Sequence, residues 1–214
     1  MVFRLRAFLL FFMLAALTIP LFCQEDGEDE DDDEAIASDW SGIASVYSRG
    51  DQIFNVNLGL VFPHFYYGGG IGKVDTNIDM GGMASLAYHY FFTPHIYLGG
   101  ELSAMFAPTI GDNMYYSIPF GMRAGYQFVL GRFEFPLTLM LGFAAQSYLD
   151  SSYFGFFAKP VVGAYFRITQ NWSFGVQTEY WWIPQIGATN KMDNASSAVH
   201  GFFWDIGIGI RYHF

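Results

Sequence analysis

The sequence predicts an all-β fold: an eight-stranded antiparallel up-and-down transmembrane β-barrel with short periplasmic turns and longer extracellular loops. Three observations predict it. Apolar residues alternate with small or polar ones near the C-terminus, short turn signals recur at a regular spacing, and 20% of the residues are aromatic while only 14% are charged. So little charge among so many aromatic side chains suits a bilayer better than a surface in water.

The alternation is clearest in the final stretch, residues 199–214. One face carries an apolar side chain at every second position from Phe202 to Phe214, and the other face carries three glycines together with Asp205 and Arg211. A period of two fits a strand and not a helix. In a transmembrane barrel, the apolar face meets lipid and the small, polar face lines the interior.

Residues 1–23 are predicted to be a signal peptide. Arg4 and Arg6 precede an apolar run of 16 residues, 7–22, which is shorter than the ~20 residues that a spanning helix usually needs. Cys23 is the single cysteine of the chain, so the exported part has no disulfide framework. Lipidation of Cys23 is an open alternative to simple cleavage of the signal.

Residues 24–51 are predicted to form an acidic, largely disordered segment, because nine of the ten residues 25–34 are acidic and like charges repel. This run accounts for most of the formal net charge of −10, since the positions from 35 onward hold 11 acidic and 8 basic residues. The sequence contains no basic patch, so nucleic acid is not an expected partner. The remaining residues, 52–214, are the predicted barrel.

Turn signals divide the barrel region into four hairpins. Short turns are centred at Pro94, Arg132 and Gln170, each 38 residues after the one before. Longer polar or glycine-rich stretches lie between them, as extracellular loops do between the strands of outer-membrane barrels. The alternation then predicts eight strands, at residues 52–62, 78–92, 96–106, 115–129, 133–146, 154–167, 172–182 and 199–214.

Three prolines, Pro119, Pro136 and Pro160, fall inside these predicted strands. Each removes one hydrogen-bond donor from the sheet, and prolines in sheets belong at edges or bulges. A bulge near each of them is therefore expected.

Eight strands enclose a bore that side chains can just fill. Five charged residues are predicted to point into it near mid-membrane: Glu101, Arg123, Lys159, Glu179 and Asp205. Glu101 and Arg123 are symmetric about position 112, and Lys159 and Glu179 about position 169, so two ion pairs are predicted directly across adjacent strands. Pairing offsets the cost of burying charge. The pairs are either a structural plug or a polar gate in a narrow conduit.

No catalytic motif is matched in the sequence. The one enzymatic alternative is acyl transfer by a loop histidine, His64, with Asp150 and Ser151, and it departs from the motif spacing of such enzymes. The five histidines lack the spacing of zinc ligands, and no nucleophile elbow, phosphate-binding loop or His-Glu-x-x-His motif is present. The sequence therefore predicts no enzyme, no catalytic residue, no metal site and no cofactor.

The chain ends in a motif that resembles the assembly signal of bacterial outer-membrane barrels, Gly207-x-Gly209-x-Arg211-Tyr212-His213-Phe214. The resemblance implies that the barrel assembly machinery reads Tyr212 and Phe214. With Trp204 ahead of this motif, the last strand is most similar to those of the OmpW/OprG family of eight-stranded barrels.

That family resemblance implies an integral outer-membrane protein in contact with lipid. It also implies a narrow channel for passive uptake of small hydrophobic molecules, with a lateral opening near a strand proline, for which Pro119 is the candidate. The alternative is a non-conducting barrel that acts as a surface anchor or adhesin through its extracellular loops, chiefly residues 63–77 and 183–198.

Overall fold

The computed structural model describes residues 47–68, 72–109, 113–149, 151–185 and 199–214. The predicted signal peptide, Cys23 and most of the acidic segment lie outside the described residues. The strands are β1 (Gln52–Gly68), β2 (Lys73–Val74), β3 (Gly81–Phe91), β4 (Ile96–Thr109), β5 (Asn113–Leu130), β6 (Phe133–Tyr148), β7 (Ser151–Arg167), β8 (Trp172–Gln185) and β9 (Val199–His213). Within this described part, no helix is long and apolar enough to cross a membrane.

The sheet closes on itself. Its strand order is β2-β1-β3-β4-β5-β6-β7-β8-β9, every neighbouring pair is antiparallel, and β1 also pairs with β9. The short strand β2 pairs only with the loop-side end of β1, at Tyr66 and Tyr67. The other eight strands form an antiparallel up-and-down barrel, which confirms the predicted fold, and closure leaves no open sheet edge in the wall.

Alternation along each strand separates an apolar outside from a polar inside. On β9, Ile206 and Ile208 are each about half exposed, whereas Asp205 before them and Arg211 after them are buried. The other barrel strands follow the same rule. A water-soluble protein buries apolar side chains and exposes charged ones. This barrel does the opposite, so its outward surface faces lipid.

Aromatic side chains mark the two ends of the lipid-facing surface. At the turn side, the ring centroids of Trp172 and Tyr212 are 4.8 Å apart. At the loop side, the rings of Phe62 and Trp204 are 5.5 Å apart. Such belts lie at the two membrane–water interfaces of transmembrane barrels.

The turn ends of the strands agree closely with the sequence prediction, but the loop ends do not. β1 continues to Gly68 instead of ending at 62, and β8 continues to Gln185 instead of 182. The first predicted loop, 63–77, is thus partly strand. Backbone pairing continues above the bilayer, where outward side chains no longer need to be apolar, so the hydrophobic pattern stops before the ladder does.

The three strand prolines do not cause the expected bulges. Each interrupts one ladder without shifting its register: Pro119 between β4 and β5, Pro136 between β6 and β7, and Pro160 between β7 and β8. The missing amide hydrogen explains the gap, since a proline cannot donate to its neighbour. A register shift occurs instead between Pro63 and Phe65, where β1 pairs with β9.

Candidate functional site

The barrel interior is the candidate site, because it collects the buried polar and charged side chains. It is filled in successive layers from the loop side to the turn side. The loop-side layer is apolar, with Phe157, Trp181 and Phe203 among its members, each 0–1% exposed. An ionic network lies below it, and a second polar cluster lies at the turn side.

All five predicted interior charges lie in the interior and are buried. Glu101 on β4 receives two cations: Arg123 Nη1 is 2.6 Å from its Oε2, and Lys159 Nζ is 2.6 Å from its Oε1. Lys159 also donates to Glu179 on β8. The two pairs that the sequence predicts as separate are therefore one network, joined across the barrel by Lys159.

The predicted direct opposition of these pairs is wrong by two residues. Glu101 lies opposite Gly121, and Glu179 lies opposite Val161. The actual turns are centred one residue away from the symmetry points assumed from the sequence. A shift of two keeps each side chain on the same face, so the long side chains of Arg123 and Lys159 still reach their partners diagonally.

Asp205 joins the network on its β9 side. It lies directly opposite Glu179 and accepts a hydrogen bond from the indole Nε1 of Trp181. The Nζ atom of Lys159 lies 4.7 Å from the centroid of a Trp181 ring. Two carboxyl groups therefore face each other here, beside the ammonium group of Lys159 and the indole donor of Trp181.

A second polar cluster surrounds Glu134 at the turn side. Arg167 Nε donates to Glu134 Oε1 at 2.7 Å, and Arg211 Nη1 lies 3.6 Å from Oε2. Ser173 Oγ lies 3.2 Å from Glu134 Oε1 and 2.7 Å from His213 Nε2. The sequence analysis did not single out Glu134 or Arg167. The alternation of inward and outward residues that places Glu101 inside the barrel also places these two inside.

Tyr47 closes the turn-side mouth. Its ring stacks on Phe91 with centroids 4.3 Å apart, and Arg167 Cζ lies 4.9 Å from its centroid. Its hydroxyl is 3.4 Å from His213 Nδ1. Tyr47 belongs to the segment that the sequence predicts to be largely disordered. It is a single aromatic residue outside the alternating pattern, so the sequence did not indicate that it packs against the barrel.

The serine, histidine and glutamate of this cluster do not form a hydrolytic triad. Ser173 is buried, and the Nδ1 atom of His213 faces Arg167 Nη2 at 3.2 Å instead of a carboxylate. A triad needs an acid on that nitrogen and an accessible nucleophile. Among the described residues, no group of three or more His, Cys, Asp or Glu side chains could hold a metal ion.

The other singled-out residues lie in the wall. Pro119 is on the inward row of β5 and is paired with Ala144 of β6. Tyr212 packs between Trp172 and Phe214, with ring centroids 4.8 Å from each. The amide of Phe214 donates to the carbonyl of Gln52 at 3.0 Å, so the chain end stays paired with β1. The reading of Tyr212 and Phe214 by the assembly machinery stays a prediction.

Comparison with known proteins identifies the family and confirms the fold. The model of an uncharacterised Treponema family matches residues 30–212. An uncharacterized protein of Treponema pallidum (strain Nichols) is 35% identical over 134 residues, which are 63% of this chain and 59% of that protein. The chain thus spans less than two thirds of the length of this relative.

Two solved structures share the architecture. The crystal structure of Neisserial surface protein A (NspA) superposes with a TM-score of 0.56 and 14% identity, over 77% of this chain and 97% of that one. The outer membrane protein OprG from Pseudomonas aeruginosa gives 0.53 and 13%, over 79% and 98%. The expected likeness to OprG is confirmed for the fold, and NspA shares it equally. The chain is therefore a β-barrel with a lipid-facing outer surface and the fold of these two structures, and it belongs to the Treponema family whose model spans residues 30–212.

Proposed function

We propose that this protein is a closed outer-membrane anchor that presents its loop-side end at the surface and does not conduct along its axis. One observation carries the proposal: Arg123, Lys159 and Trp181 point toward the axis and are each 0–1% exposed. In a water-filled pore, side chains at these positions would be wetted.

Side chains fill the barrel interior at three different depths, which supports this proposal. The apolar layer around Trp181 lies toward the loops, and the network around Lys159 lies beneath it. The Glu134 cluster lies toward the turns, with Tyr47 packed against it. A solute moving along the axis would have to separate ion pairs inside a low-dielectric wall, which is costly.

The loop-side end offers a surface for contact. Tyr67 and Leu149 are 55% and 62% exposed, and each lies several residues toward the loops from an aromatic residue of its own chain segment, Phe62 or Phe143. Exposed apolar side chains outside the membrane are typical of protein interaction sites, and tyrosine is frequent in them. An anchor would place these residues where an external partner can reach them.

Surface labelling and solute uptake test the proposal together. In a Cys23→Ser background, Tyr67→Cys and Leu149→Cys should react on intact cells with a membrane-impermeant maleimide. Leu58→Cys, on the lipid-facing surface, is the control that should not react. Liposomes containing the purified protein should exclude small sugars. Labelling of neither loop-side cysteine, or rapid sugar entry, would refute the proposal.

A second candidate is passive uptake of small hydrophobic molecules through the wall near Pro119. It is favoured by the gap in the β4–β5 ladder, which lacks pairing between Leu102–Phe120 and Met105–Ser117. Two missing ladder positions weaken the wall locally. If this route operates, Pro119→Ala should lower the uptake of an apolar dye into protein-containing liposomes. Pro184→Ala, at a proline where the β8–β9 ladder is continuous, should leave uptake unchanged.

A further inference from the structure

One layer of the interior, beside the ionic network, holds four buried nitrogen atoms that have neither a hydrogen bond nor an ion-pair contact among the described residues. They are Asn55 Nδ2, His89 Nε2, Arg123 Nε and Arg211 Nε. The four side chains are each 0–1% exposed. Buried polar atoms in folded proteins nearly always have partners, so this concentration requires an explanation.

The strand register brings these residues together. Asn55 on β1 lies directly opposite Arg211 on β9. His89 on β3 lies opposite Gly99 on β4, and Gly99 lies opposite Arg123 on β5. On β1, His89 lies opposite Ile53, two residues from Asn55 on the same face of the strand. The layer therefore combines two permanent positive charges with an amide and an imidazole.

One terminal nitrogen of each arginine, Nη1, is held by a neighbouring side chain. Arg123 Nη1 is 2.6 Å from Glu101 Oε2. Arg211 Nη1 lies 3.3 Å from Gln127 Oε1, and its Cζ lies 3.5 Å above the Tyr165 ring. These contacts engage Nη1 of each guanidinium group and leave the Nε hydrogen without a partner among the described residues.

Asn55 differs from the next inward asparagine of its own strand. Asn57 Nδ2 donates to Ser85 Oγ at 3.0 Å, and Asn57 Oδ1 accepts from the Tyr165 hydroxyl at 3.1 Å. Neither amide atom of Asn55 has a partner among the described residues. The side-chain amide of Asn57 thus has hydrogen-bond partners, whereas that of Asn55, two residues earlier on the same face, has none among the described residues.

We propose that this layer is a binding site for one small inorganic anion of the halide class, with chloride as the natural occupant. A halide accepts hydrogen bonds and donates none, so Asn55, His89, Arg123 and Arg211 can all donate to it. A water molecule must also donate two hydrogen bonds. Of the two unpartnered acceptors beside these donors, Glu101 Oε2 is ion-paired with Arg123 Nη1, which leaves Asn55 Oδ1. The enclosure of all four side chains limits the ligand to a small ion.

Thermal unfolding of the purified, folded full-length barrel at constant ionic strength tests the proposal, with gluconate as the balancing anion. The unfolding temperature should rise with chloride concentration and then saturate, and bromide should act in the same way. In crystals grown with bromide, an anomalous peak should lie within the Asn55–Arg211 layer. An unfolding temperature that does not respond to chloride, or a water molecule at that position in bromide crystals, would overturn the site.

Variants separate this binding from general salt effects. Asn55→Leu should abolish most of the chloride response, and His89→Phe provides the same test if Asn55→Leu does not fold. Ser117→Ala is the control, since Ser117 Oγ is a buried atom without a partner among the described residues, nearer the loop side. The control should keep the full response. Equal responses in Asn55→Leu, His89→Phe and Ser117→Ala would contradict an anion in this layer.

Discussion

Lys159 on β7 contacts Glu101 on β4 across the barrel, with 2.6 Å between Nζ and Oε1. The same ammonium group donates to Glu179 on the adjacent strand β8. One side chain therefore links opposite parts of the wall. Ion pairs, as well as packing, hold the strands together near the middle of the barrel.

Removing this link should destabilise the barrel strongly. Lys159→Ala leaves Glu101 and Glu179 without their shared cation, and loss of one partner from a buried ion pair costs about 3–5 kcal/mol. Urea unfolding in lipid vesicles, followed by tryptophan fluorescence, measures the change. Asp75→Ala, at an exposed loop-side residue, is the control and should change stability by less than about 0.5 kcal/mol. A Lys159→Ala protein as stable as the control would show that the network does not stabilise the fold.

Tyr47 should hold the segment before β1 against the turn-side mouth. Besides the stacking of Tyr47, the amide of Gly50 donates to the Phe91 carbonyl at 2.9 Å. Tyr47→Ala removes the stacking and should speed trypsin cleavage after Arg49 about tenfold, which corresponds to about 1.4 kcal/mol of local stability. Tyr67→Ala is the control. Equal cleavage rates in the wild type and Tyr47→Ala would mean that the segment is not fastened by this ring.

A charge on the outward surface should be penalised according to its depth in the membrane. Leu139→Arg, near the middle of β6, should cost about 2–4 kcal/mol, because an outward arginine at the bilayer midplane meets hydrocarbon. Leu130→Arg, at the turn end of β5, should cost about 0–1 kcal/mol. Urea titrations of both variants in the same vesicles give the comparison. Equal costs would contradict the membrane placement of the barrel.

Sequence reasoning correctly predicted which residues of each strand point inward. Side chains alternate between the two faces of a strand, so identifying one face also identifies the other. The positions of Glu101, Lys159 and Asp205 follow from that rule alone. The turns at Pro94, Arg132 and Gln170 were also predictable, since short turns depend on local chemistry. Gly131 in one of these turns has a φ of 59°, which residues with a side chain rarely adopt.

Long-range contacts could not be predicted in the same way. The contact between Lys159 and Glu101 depends on how the sheet closes, and no spacing in the sequence encodes it. The loop-side ends of β1 and β8 were both predicted too early, because outward residues beyond the bilayer are no longer consistently more apolar than inward ones. Tyr47 was missed because its role is decided by Phe91, Arg167 and His213, which lie far from it in the sequence.

Single-channel recording from planar bilayers tests the central claim most directly, that charged and aromatic side chains fill the barrel interior from end to end. We predict that the purified wild-type protein, shown to be folded by heat-modifiable migration, produces no step-like conductance under conditions in which a general porin does. Reproducible unitary current steps from the wild-type protein would contradict the filled interior and the anchor function proposed from it.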